Sequence, residues 1–126
     1  MVLVLDTYAW IEYFLATEKG KKVRTLLDEH KIITPILVIV EFKCKALREK
    51  WEFAEFIEFI KSKSQISYLS DEISDLSSDL YIEMRKKSKD SSIIDAIILA
   101  TARVNDAKLL TGDKHFKTIE DVLFLE

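Results

Sequence analysis

The chain has one cysteine, one proline and two glycines in 126 residues. A single cysteine, Cys44, permits no disulfide within the chain. So little proline and glycine leaves no flexible linker, and two glycines cannot build the glycine-rich loops that cradle phosphates or dinucleotides. A basic excess is also missing: 19 Lys and Arg against 22 Asp and Glu give a net charge of -3. No overall positive field therefore gathers nucleic acid at long range, and any polyanion has to be held locally. The longest apolar runs, such as Ile36 to Val40, are far too short to cross a bilayer, and the N-terminus lacks the charged head, apolar core and cleavage site of an export signal. These absences predict a cytoplasmic protein that does not enter a membrane. Repeats and low-complexity segments are absent as well. A 48% hydrophobic content at this length fits one domain over residues 1–126 with a real core.

Short strand-like runs alternate with helical stretches. Val2 to Leu5 reads as a strand, followed by a helix from about Thr7 to Ala16 with Asp6 or Thr7 as its N-cap. A second helix ends near His30, and Lys31 to Thr34 is a strand. Thr34 and Pro35 then read as N-cap and first residue of a third helix, because proline's fixed φ and missing donor suit that position. Trp51 to Lys63 reads as a fourth helix, Gln65 to Leu69 as a strand, and Ser70 to about Lys87 as a fifth helix. Asp90 to Ser92 caps a sixth. Ala107 to Leu110 and Val122 to Leu125 are the last strands, with a turn from Asp113 to Phe116. The alternation predicts an α/β domain with a mostly parallel central sheet covered by helices on both faces.

Four acids stand where local packing does not call for them. Glu41 follows the run Ile36 to Val40, and Asp95 interrupts Ile93-Ile94 and Ala96 to Ala100. A lone ionised carboxylate in such surroundings must meet a donor, a cation or a metal, or keep its proton. Asp6 and Asp113 each follow the end of a strand, where ligands of parallel sheets gather. Taken singly, Asp6 reads equally well as an N-cap and Asp113 as a turn acid; taken together, the four point to a metal site. Hard oxygen donors suit magnesium or manganese, and His30 and His115 are too few and too scattered for a histidine site. His115 itself reads as an exposed turn residue and Cys44 as packing. Phosphodiester hydrolysis, which needs an activated water and charge neutralisation at the phosphoryl and leaving oxygens, is chemistry that such a site serves.

The segments LDT at 5–7, TPILVIVE at 34–41, DAIILATA at 95–102 and LLTGDKHF at 109–116 resemble the PIN domain, and most closely the VapC toxins of prokaryotic toxin-antitoxin pairs. The resemblance spans essentially the whole chain. It implies a magnesium- or manganese-dependent endoribonuclease that cleaves RNA with a metal-activated water, restrained by a VapB-like antitoxin and assembled as a homodimer. By motif match the family's acidic quartet falls on Asp6, Glu41, Asp95 and Asp113, and its polar helper on Thr111. Asp6, Asp95 and Asp113 are the expected metal ligands, with Glu41 orienting the attacking water or completing the site from outside. Gly112 stands where many relatives carry a bulkier residue, which loosens the local backbone in this reading.

A haloacid dehalogenase-type phosphatase would want a second Asp where this chain has Tyr8, and a receiver domain would want an acidic pair near the first strand's end. A housekeeping PIN nuclease of RNA processing and a non-catalytic PIN-like binding module remain the alternatives to a toxin. In the fourth helix, Phe53, Phe56, Ile57 and Ile60 form one apolar face, while Trp51 and Phe59 fall among Glu52, Glu55 and Glu58. Two aromatics on a polar face suggest a partner surface.

Overall fold

The computed structural model describes residues 1–126 and contains five strands: β1 (Val2–Leu5), β2 (Lys31–Pro35), β3 (Gln65–Ser67), β4 (Lys108–Thr111) and β5 (Val122–Phe124). They form one parallel sheet in the order β3-β2-β1-β4-β5. Six helices connect them: α1 (Thr7–Leu15), α2 (Glu18–Glu29), α3 (Ile36–Glu49), α4 (Ala54–Lys63), α5 (Asp71–Lys87) and α6 (Ile93–Val104), with a short 3-10 turn at Lys114–Phe116. The central strand reads as an unbroken apolar run because parallel strands are covered on both faces; Leu3, Val4 and Leu5 are wholly buried. The chain winds outward from β1 through β2 to β3, crosses back along the packed pair α5 and α6, and resumes at β4 on the other side of β1. The winding reverses between β1 and β4, which opens a crevice beyond their carboxyl ends. No helix is long and apolar enough to cross a membrane.

Three sequence-based expectations give way to tertiary packing. Thr34 and Pro35 close β2 and do not open α3. The Thr34 hydroxyl accepts the indole N–H of the buried Trp10 at 3.1 Å and bonds Ser64 at 2.7 Å, so a residue suited to capping is used between layers, and α3 starts at Ile36 without a side-chain cap. The fourth helix starts at Ala54, leaving Trp51 in the preceding connection. Phe59 does not stand on a polar face: its ring stacks on Tyr13 at 5.5 Å and meets Trp10 edge-on at 6.3 Å, within an aromatic group that includes Phe14, Phe42 and Phe56. A helix lying over α1 is covered on more of its circumference than its sequence period suggests, because the rings of α1 reach around it.

Candidate metal centre

Three of the four acids owe their positions to a local backbone cap, the fourth to a hydroxyl from another helix, and the fold brings them together. Asp6 leaves β1 in extended conformation and caps α1, its Oδ1 accepting from Ala9 N at 2.9 Å. Its Oδ2 accepts from the hydroxyl of Thr111, which ends the neighbouring strand β4. That hydroxyl in turn accepts from Asp113 N at 3.0 Å, so Thr111 ties the first acid to the last across the crevice. Asp113 caps the 3-10 turn through its Oδ1, which accepts from His115 N at 2.9 Å. Asp95 lies in the first turn of α6 in a reciprocal capping arrangement: its backbone N donates to Ser92 Oγ at 3.1 Å, and its Oδ2 accepts from Ser92 N at 3.0 Å. Glu41, in the second turn of α3, accepts from the Thr7 hydroxyl at 2.7 Å.

Capping therefore explains why Asp6, Asp95 and Asp113 are tolerated one at a time, and it uses only part of their capacity. Asp95 Oδ1, Asp113 Oδ2 and Glu41 Oε2 have no protein donor, and none is a sealed, orphaned atom. Asp6 is buried, which disfavours its charge; the donors Thr111 and Ala9 offset this only in part, and the nearby charges of Asp113 and Glu41 add to it. The result is a carboxyl pushed from its ordinary 3.8 up to about 7. Glu41 is raised in the same direction, chiefly by burial, against the lowering effect of its bond from Thr7 and with the charges of Asp95 and Asp113 contributing. Anionic oxygens that crowd together with unused lone pairs are a donor set suited to a hard divalent cation.

His115 is not the exposed turn residue expected from sequence. Its side chain is 19% exposed, and Nδ1 lies 3.1 Å from Asp95 Oδ2 and 3.4 Å from Asp113 Oδ1. Asp95, Asp113 and His115 each bring one ligand atom within 4.8 Å of the other two. Asp6 is not one of these three; each of its oxygens accepts one protein donor and keeps a second lone pair, and the Thr111 hydroxyl links it to the Asp113 backbone. The available signal in the sequence was the spacing Asp113-x-His115, where the two-residue offset of a turn folds the ring back onto the acid. Gly112 has no left-handed φ, so its role is spatial: a Cβ there would fall 2.3 Å from Cε1 of Tyr8, whose ring lies against it and whose hydroxyl accepts from Lys19 Nζ at 2.9 Å. Beside His115 opens a cavity of about 660 Å³ whose lining includes Lys87, Arg103 and Lys114 as well as Glu83, Asp90 and Glu120.

The sequence profile of the PIN domain matches residues 3–122. The chain belongs to the PIN domain family. Among solved structures, the chain is similar to one in a toxin-antitoxin complex from Klebsiella pneumoniae, with a TM-score of 0.74 and 24% identity over 98% of each chain. It is similar to one in VapBC2 from Rickettsia felis bound to a promoter DNA fragment, with a TM-score of 0.74 and 18% identity over 98% of this chain and 97% of that one. A third similar fold is VapC20 of Mycobacterium tuberculosis, described as a Sarcin-Ricin loop cleaving toxin, with a TM-score of 0.70 and 14% identity over 94% of this chain and 95% of that one. No curated protein sequence matches. At these identities the likeness establishes a shared fold.

Proposed function

We propose that this PIN domain is a metal-dependent endoribonuclease acting as the VapC-type toxin of a toxin-antitoxin pair. The observation that carries the reading is the convergence of Asp6, Glu41, Asp95 and Asp113, from four separate chain segments, on the crevice where β1 and β4 part. Magnesium or manganese fits the donor set, with Asp6, Asp95 and Asp113 holding it and Glu41 beside them. The bound ion would supply a water reactive at neutral pH and neutralise charge on the phosphoryl oxygens. Glu41, held by Thr7 through one oxygen and with a raised pKa, is suited to accept the proton of the attacking water. Thr111 fixes Asp6 and the Asp113 backbone and acts by positioning.

Similarity to chains from toxin-antitoxin complexes supports a VapB-like antitoxin as partner; a homodimeric assembly and a cytoplasmic location complete the proposal. Trp51 borders a small apolar cavity with Ile11, Phe14, Leu15 and Phe56, and Leu15 is 56% exposed, which suits a partner surface. The test is cleavage of single-stranded RNA by the purified chain with magnesium or manganese. Activity should cease with excess chelator and leave a 5′-phosphate and a 3′-hydroxyl. Sustained cleavage in chelator, or a 2′,3′-cyclic phosphate product, would refute the mechanism.

A further inference from the structure

His115 stands outside the four acids yet inside their cluster. Its Nδ1 faces two carboxylates at once, at 3.1 Å and 3.4 Å, and can carry a single hydrogen. One hydrogen cannot serve both acceptors at full strength, whereas a cation among the three ligand atoms serves all of them. Adjacent ligands around a six-coordinate ion with bonds of about 2.1 Å stand roughly 3 Å apart, close to the two distances from His115 Nδ1, and all three ligand atoms lie within 4.8 Å of one another. The backbone that carries the ring is held there independently of that contact. The His115 backbone N donates to Asp113 Oδ1 at 2.9 Å, and the next residue, Phe116, is 1% exposed and anchors the turn in the core.

We propose that His115 is a nitrogen ligand of the metal centre and converts a carboxylate site into a mixed oxygen and nitrogen site that prefers manganese and the later first-row ions over magnesium. The inference rests on the metal-site reading above. Ligation uses the neutral imidazole with its hydrogen on Nε2, leaving the Nδ1 lone pair for the ion. Magnesium demands hard oxygen donors and keeps much of its water, so an imidazole adds little to its binding; first-row transition ions gain affinity from nitrogen.

The experiment is pulsed electron paramagnetic resonance on the full chain loaded with manganese(II). The expected spectrum shows modulation from a directly bound 14N, which changes to the 15N pattern when the protein is grown with 15N-histidine. The only other histidine, His30, caps the end of α2 just before β2 begins, at the opposite end of the parallel strands from Asp6 and Asp113, so the assignment needs no variant. In binding titrations, His115→Asn should weaken manganese by about tenfold or more, and magnesium by less than about threefold. Bound manganese without nitrogen modulation, or equal losses for the two ions, would overturn the role of His115 while leaving the carboxylate site standing. Failure of manganese to bind at all would overturn both.

Discussion

Replacing Asp6 with Asn should stabilise the metal-free protein at pH 8 while abolishing its metal-dependent activity. The rise of the Asp6 carboxyl from 3.8 to about 7 is a free-energy cost of ionisation in the folded state. At 1.36 kcal/mol for each tenfold change in proton affinity, it comes to about 4 kcal/mol. Below pH 4 the carboxyl is protonated in both folded and unfolded chains and costs nothing. Between pH 4 and 7 the unfolded chain ionises first, so stability falls as pH rises; above about 7 the full cost is present. Asparagine carries no charge and keeps an oxygen for Ala9 N, but it withdraws the anionic acceptor from Thr111. That loss reduces the expected gain to about 2 kcal/mol or somewhat more. For 126 residues, unfolding entropy near 2.1 cal/mol/K per residue converts each kcal/mol to about 4 °C, so the variant should melt about 8 °C higher at pH 8. Melting curves in chelator at pH 4 and pH 8 on both proteins make the comparison. An Asn variant no more stable than the parent at pH 8, or one with the same gain at both pH values, would refute the claim that Asp6 is held in a charge-disfavouring site.

The remaining expectations concern the ion, the glycine and the partner surface. Metal binding followed by calorimetry should weaken as pH falls below about 7, because a proton on Asp6 competes with the cation; affinity flat from pH 5 to 8 would contradict its raised pKa. Gly112→Ala pushes a methyl into the Tyr8 ring and should lower stability by about 1–3 kcal/mol in urea titrations, with loss of the Tyr8 to Lys19 contact; an unchanged midpoint would show that the ring swings away freely. Phe59→Ser should destabilise the chain by about 3 kcal/mol through lost aromatic packing. Trp51→Ser should leave the melting temperature nearly unchanged and weaken association with antitoxin or with a second copy, read by analytical ultracentrifugation, and the opposite pattern would place the interface elsewhere.

The sequence by itself determined the parallel α/β layering and the four acids. Both signals are local: apolar runs such as Val2 to Leu5 report strands buried on both faces, and a carboxylate such as Asp95 inside an apolar helix shows in the residue order. Only the tertiary structure decided what those residues do for one another. Thr34 satisfied every local rule for a helix cap, yet its hydroxyl faces the indole of Trp10, because a buried N–H requires an acceptor and the fold supplies this one. Phe59 fell among glutamates along its own helix and is packed by the rings of α1, which no single-helix period can register. His115 and Asp95 are twenty residues apart, and nothing in either segment announces the other. They meet because β4 returns along α6, so that the turn after the strand comes back to the start of the helix, a contact made by the packing of two whole elements that residue patterns within either one do not register.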